Sequence, residues 1–376
     1  MVYHFKLSNA MTSPLFIPLQ LRELSLTNRI VVAPMCQYSA TDGNVADWHM
    51  MHLGSLSHSG AGLLVVEATA VSPEGRITHG CTGLWSDDNE ASFARLLTAI
   101  RQYSGMPVGI QLAHAGRKAS CALPWQGGRQ LSLAEGGWDT LAPTPVPYDS
   151  KDSLTIALDT EGLVRVRDAF VQAARRADRL GFDLIELHAA HGYLLHQFLS
   201  PISNQRTDKY GGSLDNRLRF PLEVFDAMRA VWPANKPLGM RVSATDWVAG
   251  GWDVDQTVEL ARALKERGCD YLHVSSGGLS PLQKIEAAPG FQVPFARRVK
   301  TETGMVTIAV GLITQAKQAE AIIAQGSADL VALARGILYD PRWPWHAAAE
   351  LGAQVQAPRQ YWRSAPADVE HLFTST

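Results

Sequence analysis

The sequence predicts an α/β fold, a single (β/α)8 TIM barrel with a long insert after strand 3 covering the barrel mouth. Three observations lead there. Short continuous apolar runs, the pattern of strands buried on both faces of a parallel sheet, recur eight times. Amphipathic helical stretches lie between them. A helix, a glycine and an Asp-led apolar strand recur as one string three times, at GFDLIEL, GCDYLHV and GSADLVAL, which marks a repeated βα unit. The 376 residues suit one decorated barrel. A doubly wound sheet is disfavoured because no G-x-G-x-x-G follows the first strand.

In chain order, residues 1–14 read as an N-terminal extension outside the fold, and Met11 is a possible alternative start. The barrel is expected over 15–357. Its strands are Arg29–Pro34, Gly62–Glu67, Val108–Leu112, Asp183–Leu187, Leu238–Val242, Asp270–Val274, Val306–Val310 and Asp329–Ala334. Helices are expected at Leu163–Leu180, where apolar residues repeat at three and four, and at Asp255–Arg267 and Gln315–Gln325. They run into Gly181, Gly268 and Gly326, residues that stop a helix. The Cys121–Leu158 segment is rich in Gly, Pro, Trp and Ser; irregular segments of that length usually serve a site. Residues 358–376 form a C-terminal tail.

Composition removes several classes of function. A net charge of −2 gives no basic face for nucleic acid. No apolar run approaches the roughly 20 residues that span a bilayer, and the N-terminus lacks the apolar stretch of a signal peptide. Cys36, Cys81, Cys121 and Cys269 are scattered, which argues against a disulfide scaffold, a zinc ribbon or an iron–sulfur cluster. A reducing cytoplasm is the expected compartment.

In a TIM barrel, functional groups follow the C-terminal ends of the strands. Polar and small residues gather at those ends: Cys36 and Tyr38, Glu67 and Ala68, Gln111, His188 with His191 and Tyr193, Arg241, Gly311, and Ala334 with Arg335. The last loops read as a phosphate site, since glycines let backbone N–H groups approach an anion and Arg335 adds a bidentate donor. Arg241 suits a ligand that becomes anionic on reduction, or else pairs with Glu67 or Glu186. Gln111 both donates and accepts, which suits a pyrimidine edge. His188 and His191, three apart, can face one ligand as hydrogen-bond donors to a carbonyl oxygen. As metal ligands they lack the spacing of further partners, so no metal is expected. Tyr193 is a candidate acid or an aromatic core residue. Cys36 is open to three roles: nucleophile, redox tuner or packing.

The strings NRIVVAPMCQYSA, GLLVVEATAVSPEGRIT, IQLAHAGRKAS, ELHAAHGYLLHQFLSPISNQRTDKYGGSLDNRLRF, MRVSA and APRQYWRS resemble the Old Yellow Enzyme family of FMN-dependent ene-reductases, in its thermophilic-like branch of the YqjM and xenobiotic reductase A type. The resemblance runs from about Phe16 to Phe373. It implies an NAD(P)H:flavin oxidoreductase that reduces the activated C=C bond of enones, enals, maleimides or nitroalkenes. The implied cycle is ping-pong, through FMN, with NADPH or NADH as electron donor. Ala33, Pro34, Met35, Cys36, Ala68, Gln111 and Arg241 are then contacts to the flavin ring, with Cys36 its tuner. Gly311, Ala334 and Arg335 form the phosphate end, although relatives often carry Gly where this chain has Ala334. His188 and His191 hold the substrate carbonyl with Tyr38 facing them, and Tyr193 gives the proton. Lys118 supports the mouth. Arg363 is implied to reach a neighbouring subunit's site, which makes a homodimer or homotetramer the expected assembly.

Overall fold

The computed structural model describes residues 13–369 and 371–375. Most of the expected N-terminal extension, residues 1–12, therefore lies outside the described residues. Eight parallel strands close into a barrel in chain order: β1 (Ile30–Val32), β2 (Leu63–Ala70), β3 (Val108–Ala113), β4 (Leu184–Ala189), β5 (Leu238–Ser243), β6 (Tyr271–Ser275), β7 (Val306–Ala309) and β8 (Leu330–Leu333), with β8 pairing back to β1. Helices α1 (Asp47–Ser57), α2 (Asp87–Tyr103), α3 (Thr160–Arg179), α4 (Leu194–Leu199), α5 (Leu214–Arg229), α6 (Val254–Glu266), α7 (Val293–Thr303), α8 (Ala316–Ala324), α9 (Arg335–Tyr339) and α10 (Trp343–Leu351) lie between and after the strands. None among the described residues is long and apolar enough to cross a membrane.

Every expected apolar run coincides with a strand; β3, β5 and β6 run one residue past theirs, and β2 and β4 run further. β2 continues past Glu67 to pair Thr69 with Leu112 and Ala70 with Ala113. β4 continues to pair His188 with Arg241 and Ala189 with Val242. Ala68 and His188 thus sit within strands rather than beyond them. In β2 the apolar run breaks at a buried charge, and the strand absorbs it as a bulge. Val66 pairs with Ile110 and Ala68 with Gln111, which leaves Glu67 as the extra residue. Helix α3 starts before Leu163 because the Asp159 carboxylate accepts from Gly162 N–H and caps the first turn.

The repeated Asp at the start of even-numbered strands has a structural job. Asp183, Asp270 and Asp329 each accept the first or second N–H of the preceding strand, from Val108, Leu238 and Thr307, at 2.8, 2.8 and 3.0 Å. Their own N–H groups return to the carbonyls of the same three residues. These reciprocal bonds pin the register of β3–β4, β5–β6 and β7–β8 at the end opposite the site.

The barrel interior is filled in layers. At its N-terminal end a hairpin of Leu19–Leu21 with Leu24–Leu26 inserts Leu21 and Leu26 among Val31, Leu63, Leu184, Tyr271 and Leu330. Gly239 on β5 makes room for Tyr271, since a Cβ there would stand 2.3 Å from the ring. Above this apolar layer the inward positions turn polar: Gln111, Glu186, Arg241 and His273 are all buried. The charge-bearing interior lies towards the mouth, resting on a sealed hydrophobic floor.

The 121–158 insert is mostly irregular. It has short turns at Pro124–Gln126 and Leu133–Glu135, and a two-residue pairing of Leu141–Ala142 with Ile156–Ala157. It touches the mouth at several points: Arg117 donates to the Val146 and Pro147 carbonyls, Lys118 Nζ lies 4.6 Å from the Tyr148 ring centre, and the Trp125 ring meets Tyr38 edge-on at 6.1 Å. A cavity of about 390 Å³ lies between Tyr38, Lys118, Cys121 and Tyr148.

Candidate active site

Alternation along β4 turns Glu186 and His188 to the same side of the strand, into the barrel. Glu186 organises the lower layer. Its carboxylate accepts from Gln111 Nε2 at 2.7 Å and lies 2.9 Å from His273 Nδ1. Although burial alone pushes the Glu186 carboxyl up, its interactions with His273, Arg241 and Gln111 hold it below the ordinary carboxylate range. With its amide nitrogen committed to Glu186, Gln111 keeps its amide oxygen free to accept from a ligand N–H.

Arg241 is placed between Glu186 and the mouth. It is 7% exposed, makes no ion pair within 4.0 Å among the described residues, and its Nε is buried with no acceptor. The alternative of a salt bridge with Glu67 or Glu186 is not what forms. Burial lowers its pKa, while the charge of Glu186 raises it. A guanidinium buried without an acceptor is costly, so this site calls for an anionic or acceptor-rich ligand. Together with the free oxygen of Gln111, it fits the pyrimidine edge of a flavin.

The His188–Tyr193 segment is held from every side. His188 Nδ1 accepts the Ala190 N–H at 3.1 Å. His191 adopts φ +59°; its N–H donates to Ser243 Oγ at 2.9 Å, and its Nε2 lies 2.8 Å from Ser275 Oγ. Gly192 has φ +76°, and a Cβ there would stand 2.2 Å from the Gly278 carbonyl oxygen, so no other residue fits. The Gly192 N–H donates to His196 Nδ1, and its carbonyl accepts from Gln197. His196 Nε2 in turn lies 2.9 Å from the buried Asp246 carboxylate. Lys118 Nζ donates to the carbonyls of both His191 and Gly278 at 2.8 Å and lies 5.3 Å from the Tyr193 ring centre. Burial brings this lysine down to about 8.

The outcome is a cluster of three rings. His188 meets His191 at 5.2 Å and Tyr193 at 4.9 Å, both edge to face. Burial first, then the positive charge of Arg241, holds both histidines well below their ordinary pKa. Burial holds the Tyr193 phenol well above its own. Near neutral pH the cluster therefore offers neutral imidazoles and a protonated phenol.

On the β1 side, Ala33 and Pro34 are buried while Met35, Cys36 and Tyr38 are half-buried. The Ala68 N–H and the Tyr38 hydroxyl are the polar hydrogens turned to the Cys36 sulfur. Tyr38 itself adopts φ +53°. Across the barrel, Gln292 bridges β6 and β7: it accepts from Ser276 Oγ at 2.6 Å and donates to the Val310 carbonyl at 2.9 Å. A Cβ on the neighbouring Gly311 would lie 2.7 Å from that amide. Ala334 precedes α9, whose third and fourth residues, Ile337 and Leu338, donate back to its carbonyl. The Arg335 and Gly336 N–H groups are left as first-turn donors, and the Arg335 side chain is exposed.

Arg363 joins none of these contacts. It is exposed on a 3-10 turn, Arg359–Ser364, which packs through Tyr361 onto Trp345 and Arg342. Among the described residues no group of three or more His, Cys, Asp or Glu is placed to hold a metal ion. Sequence reasoning passed over Glu186 as an organiser, Gln292, Asp246 and the Glu67 bulge. Glu186 alone carried a signal, its even spacing from His188 in one strand.

Comparison with known proteins identifies the family. Residues 14–354 match the profile of the NADH:flavin oxidoreductase / NADH oxidase family. The chain is 43% identical over 355 residues to an NADPH dehydrogenase of Geobacillus thermodenitrificans (strain NG80-2), covering 94% of this chain and 99% of that protein. It is 42% identical, with the same coverage, to an NADPH dehydrogenase of Bacillus subtilis (strain 168). Among solved structures it resembles morphinone reductase, with a TM-score of 0.75, 29% identity and 98% of each chain covered. A 2-naphthoyl-CoA reductase complex gives 0.81 at 26% identity, covering 91% of this chain and 52% of that one. The chain belongs to the NADH:flavin oxidoreductase / NADH oxidase family, within the Old Yellow Enzymes that its motifs resemble, and is an FMN-dependent oxidoreductase that draws electrons from a nicotinamide.

Proposed function

We propose that the chain is an ene-reductase acting on alkenes conjugated to a carbonyl or nitro group: enones, enals, maleimides or nitroalkenes. The observation that carries this reading is the proton placement in the three-ring cluster. Because His188 Nδ1 is committed as an acceptor, the neutral ring carries its proton on Nε2. His191, also neutral, stands beside it with its Nε2 2.8 Å from Ser275 Oγ, whose own hydroxyl donates to Gln292 Oε1. An Nε2–H donor on His188 and a second neutral imidazole then stand beside one phenol, an arrangement that suits a carbonyl oxygen turning into an enolate.

FMN, when bound, supplies a two-electron store that takes a hydride from NADPH or NADH and passes it to the alkene, in a ping-pong order. Ala33, Pro34, Met35, Cys36, Ala68, Gln111 and Arg241 would hold its ring, and Gly311, Ala334 and Arg335 its phosphate. His188 and His191 grip the activating oxygen, with Tyr38 opposite. They withdraw charge from the double bond, and one such donor is typically worth about 3 kcal/mol. Tyr193 delivers its proton to Cα. Lys118, Ser243 and Asp246 with His196 keep His191 and Gly192 in their left-handed course, which sets the place of Tyr193.

The same reading places the enzyme in the cytoplasm as a homodimer or homotetramer, in which the 358–376 tail carries Arg363 to a neighbouring site. The exposed aromatic residues Tyr361 and Trp362 beside it support this. The test is anaerobic spectroscopy. The purified protein should be yellow, bleach with NADPH and regain its colour with 2-cyclohexenone, giving cyclohexanone. A reduced protein that no activated alkene reoxidises would refute the assignment.

A further inference from the structure

Glu67 is a buried acid for which the mechanism has no use. The chain goes out of its way to place it: it is the extra residue of the β2 bulge, 2% exposed, on the strand that borders the site. Its Oε2 accepts from the Gln37 N–H at 2.9 Å, and its Oε1 lies 3.3 Å from His49 Nε2. His49 is fully buried, and its Nδ1 accepts the Ala46 N–H at 3.0 Å, which leaves the ring proton on Nε2. A second proton on His49 would break that bond. The charge of Glu67 acts on a neighbouring sulfur, pushing the Cys36 thiol up.

That charge brackets Cys36. Gln37, which donates to Glu67, follows Cys36 in the chain. Ala68, whose N–H is turned to the sulfur, follows Glu67. Resting on the ene-reductase reading, we propose that the Glu67–His49 pair shields Cys36 from covalent capture by the enzyme's own electrophilic substrates. An alkene activated for hydride transfer to Cβ is equally activated for attack by sulfur. Capture would form an S–Cβ bond while the π pair moves to the carbonyl oxygen and a proton from water reaches Cα. In sum, S–H adds across C=C with no oxidant or reductant. Only the thiolate attacks at a useful rate, and a fixed anion beside the sulfur opposes its formation.

The groups facing Cys36 agree. Burial comes first, and Glu67 from β2 and Cys81 from the following loop add to it in pushing the thiol up, against the Ala68 N–H and the Tyr38 hydroxyl. Tyr193, from the loop after β4, also faces the sulfur. Arg241 on β5 is the opposing cation. Packing by the chain itself leaves Cys36 half-buried, so beyond the flavin ring it is charge that guards the sulfur.

The experiment is labelling of the oxidised holoenzyme, without NADPH, by iodoacetamide and by N-ethylmaleimide between pH 6.5 and 9.5. The Cys36 peptide is quantified by mass spectrometry. Turnover plays no part, so the outcome is separate from whether enones are reduced. Lowering a thiol pKa by one unit speeds alkylation about threefold at fixed pH, because lost nucleophilicity offsets part of the gained thiolate. Glu67→Gln, checked for flavin retention, should label faster at pH 8, by about threefold for each unit the thiol pKa falls, with its pH profile moved to lower pH. Glu67→Asp, which keeps the charge, should stay near wild type. A flavin-loaded Gln variant that labels at the wild-type rate overturns the proposal. So does wild-type Cys36 that reacts at pH 8 as fast as glutathione, a measurement that does not depend on any variant folding.

Discussion

The Nδ1 atom of His188 accepts the backbone N–H of Ala190 at 3.1 Å, and that bond fixes what the opposite nitrogen does. The ring is neutral, its proton is on Nε2, and it faces His191 and Tyr193 edge-on. Replacing it removes the Nε2–H donor that this bond holds in place for the substrate oxygen. His188→Ala should lower kcat/KM for 2-cyclohexenone by about 10²–10³ while leaving flavin reduction by NADPH within a few-fold. Stopped-flow measurement of the two half-reactions separates these effects.

Tyr193 stays protonated far above neutral pH because it is buried. Tyr193→Phe should slow the oxidative half-reaction by about 10²–10⁴ and spare the reductive one. Equal slowing of both would point to another proton donor.

Arg241, buried with an unmatched Nε, is the residue whose loss should cost the cofactor. Arg241→Met should purify largely colourless. Arg241→Lys should recover little, since a lysine cannot reproduce the planar fork. Absorbance at 450 nm against 280 nm gives the occupancy.

The tail calls for a mixing experiment. If Arg363 serves a neighbouring site, Arg363→Ala and Tyr193→Phe chains are each defective, but a mixed dimer contains one site with both wild-type residues. Co-folded mixtures should therefore exceed either parent in activity. No recovery would place Arg363 outside catalysis.

Acid should destabilise the protein in a defined window. Burial holds His114 down at about 4 and lowers His188, His191 and His273 too. In the unfolded chain each takes a proton near 6.5. Below that pH the unfolded chain binds more protons, so the stability present above about 6.5 is lost as pH falls. His114 alone accounts for on the order of 3 kcal/mol by pH 4. Calorimetry should show Tm falling from pH 7 to 4.5, with a shallower slope in His114→Asn.

What could be read from the sequence follows a physical division. The strands were legible because a barrel strand is apolar on both faces, and runs such as LGMRV have no other use in a chain of this charge. The site residues at strand ends were legible through position and family likeness. Glu67 was visible only as the end of an apolar run, because a bulge has no periodicity of its own. Gln292 and Lys118 act through backbone carbonyls 18 and 73 residues away, and no local pattern encodes such partners. Arg363 was readable as a motif, yet within one subunit it has no site partner.

The Leu19–Leu26 hairpin gives the barrel a single door. Whatever occupies the interior comes and goes by the mouth, past Tyr38, Trp125 and the insert. Loading order is then imposed by topology: the deeper guest must arrive before the shallower one and cannot leave while it stays. A tight carbonyl ligand held by His188 and His191 should accordingly slow the escape of FMN in dilution assays, so that an inhibitor of turnover doubles as a preservative of the holoenzyme.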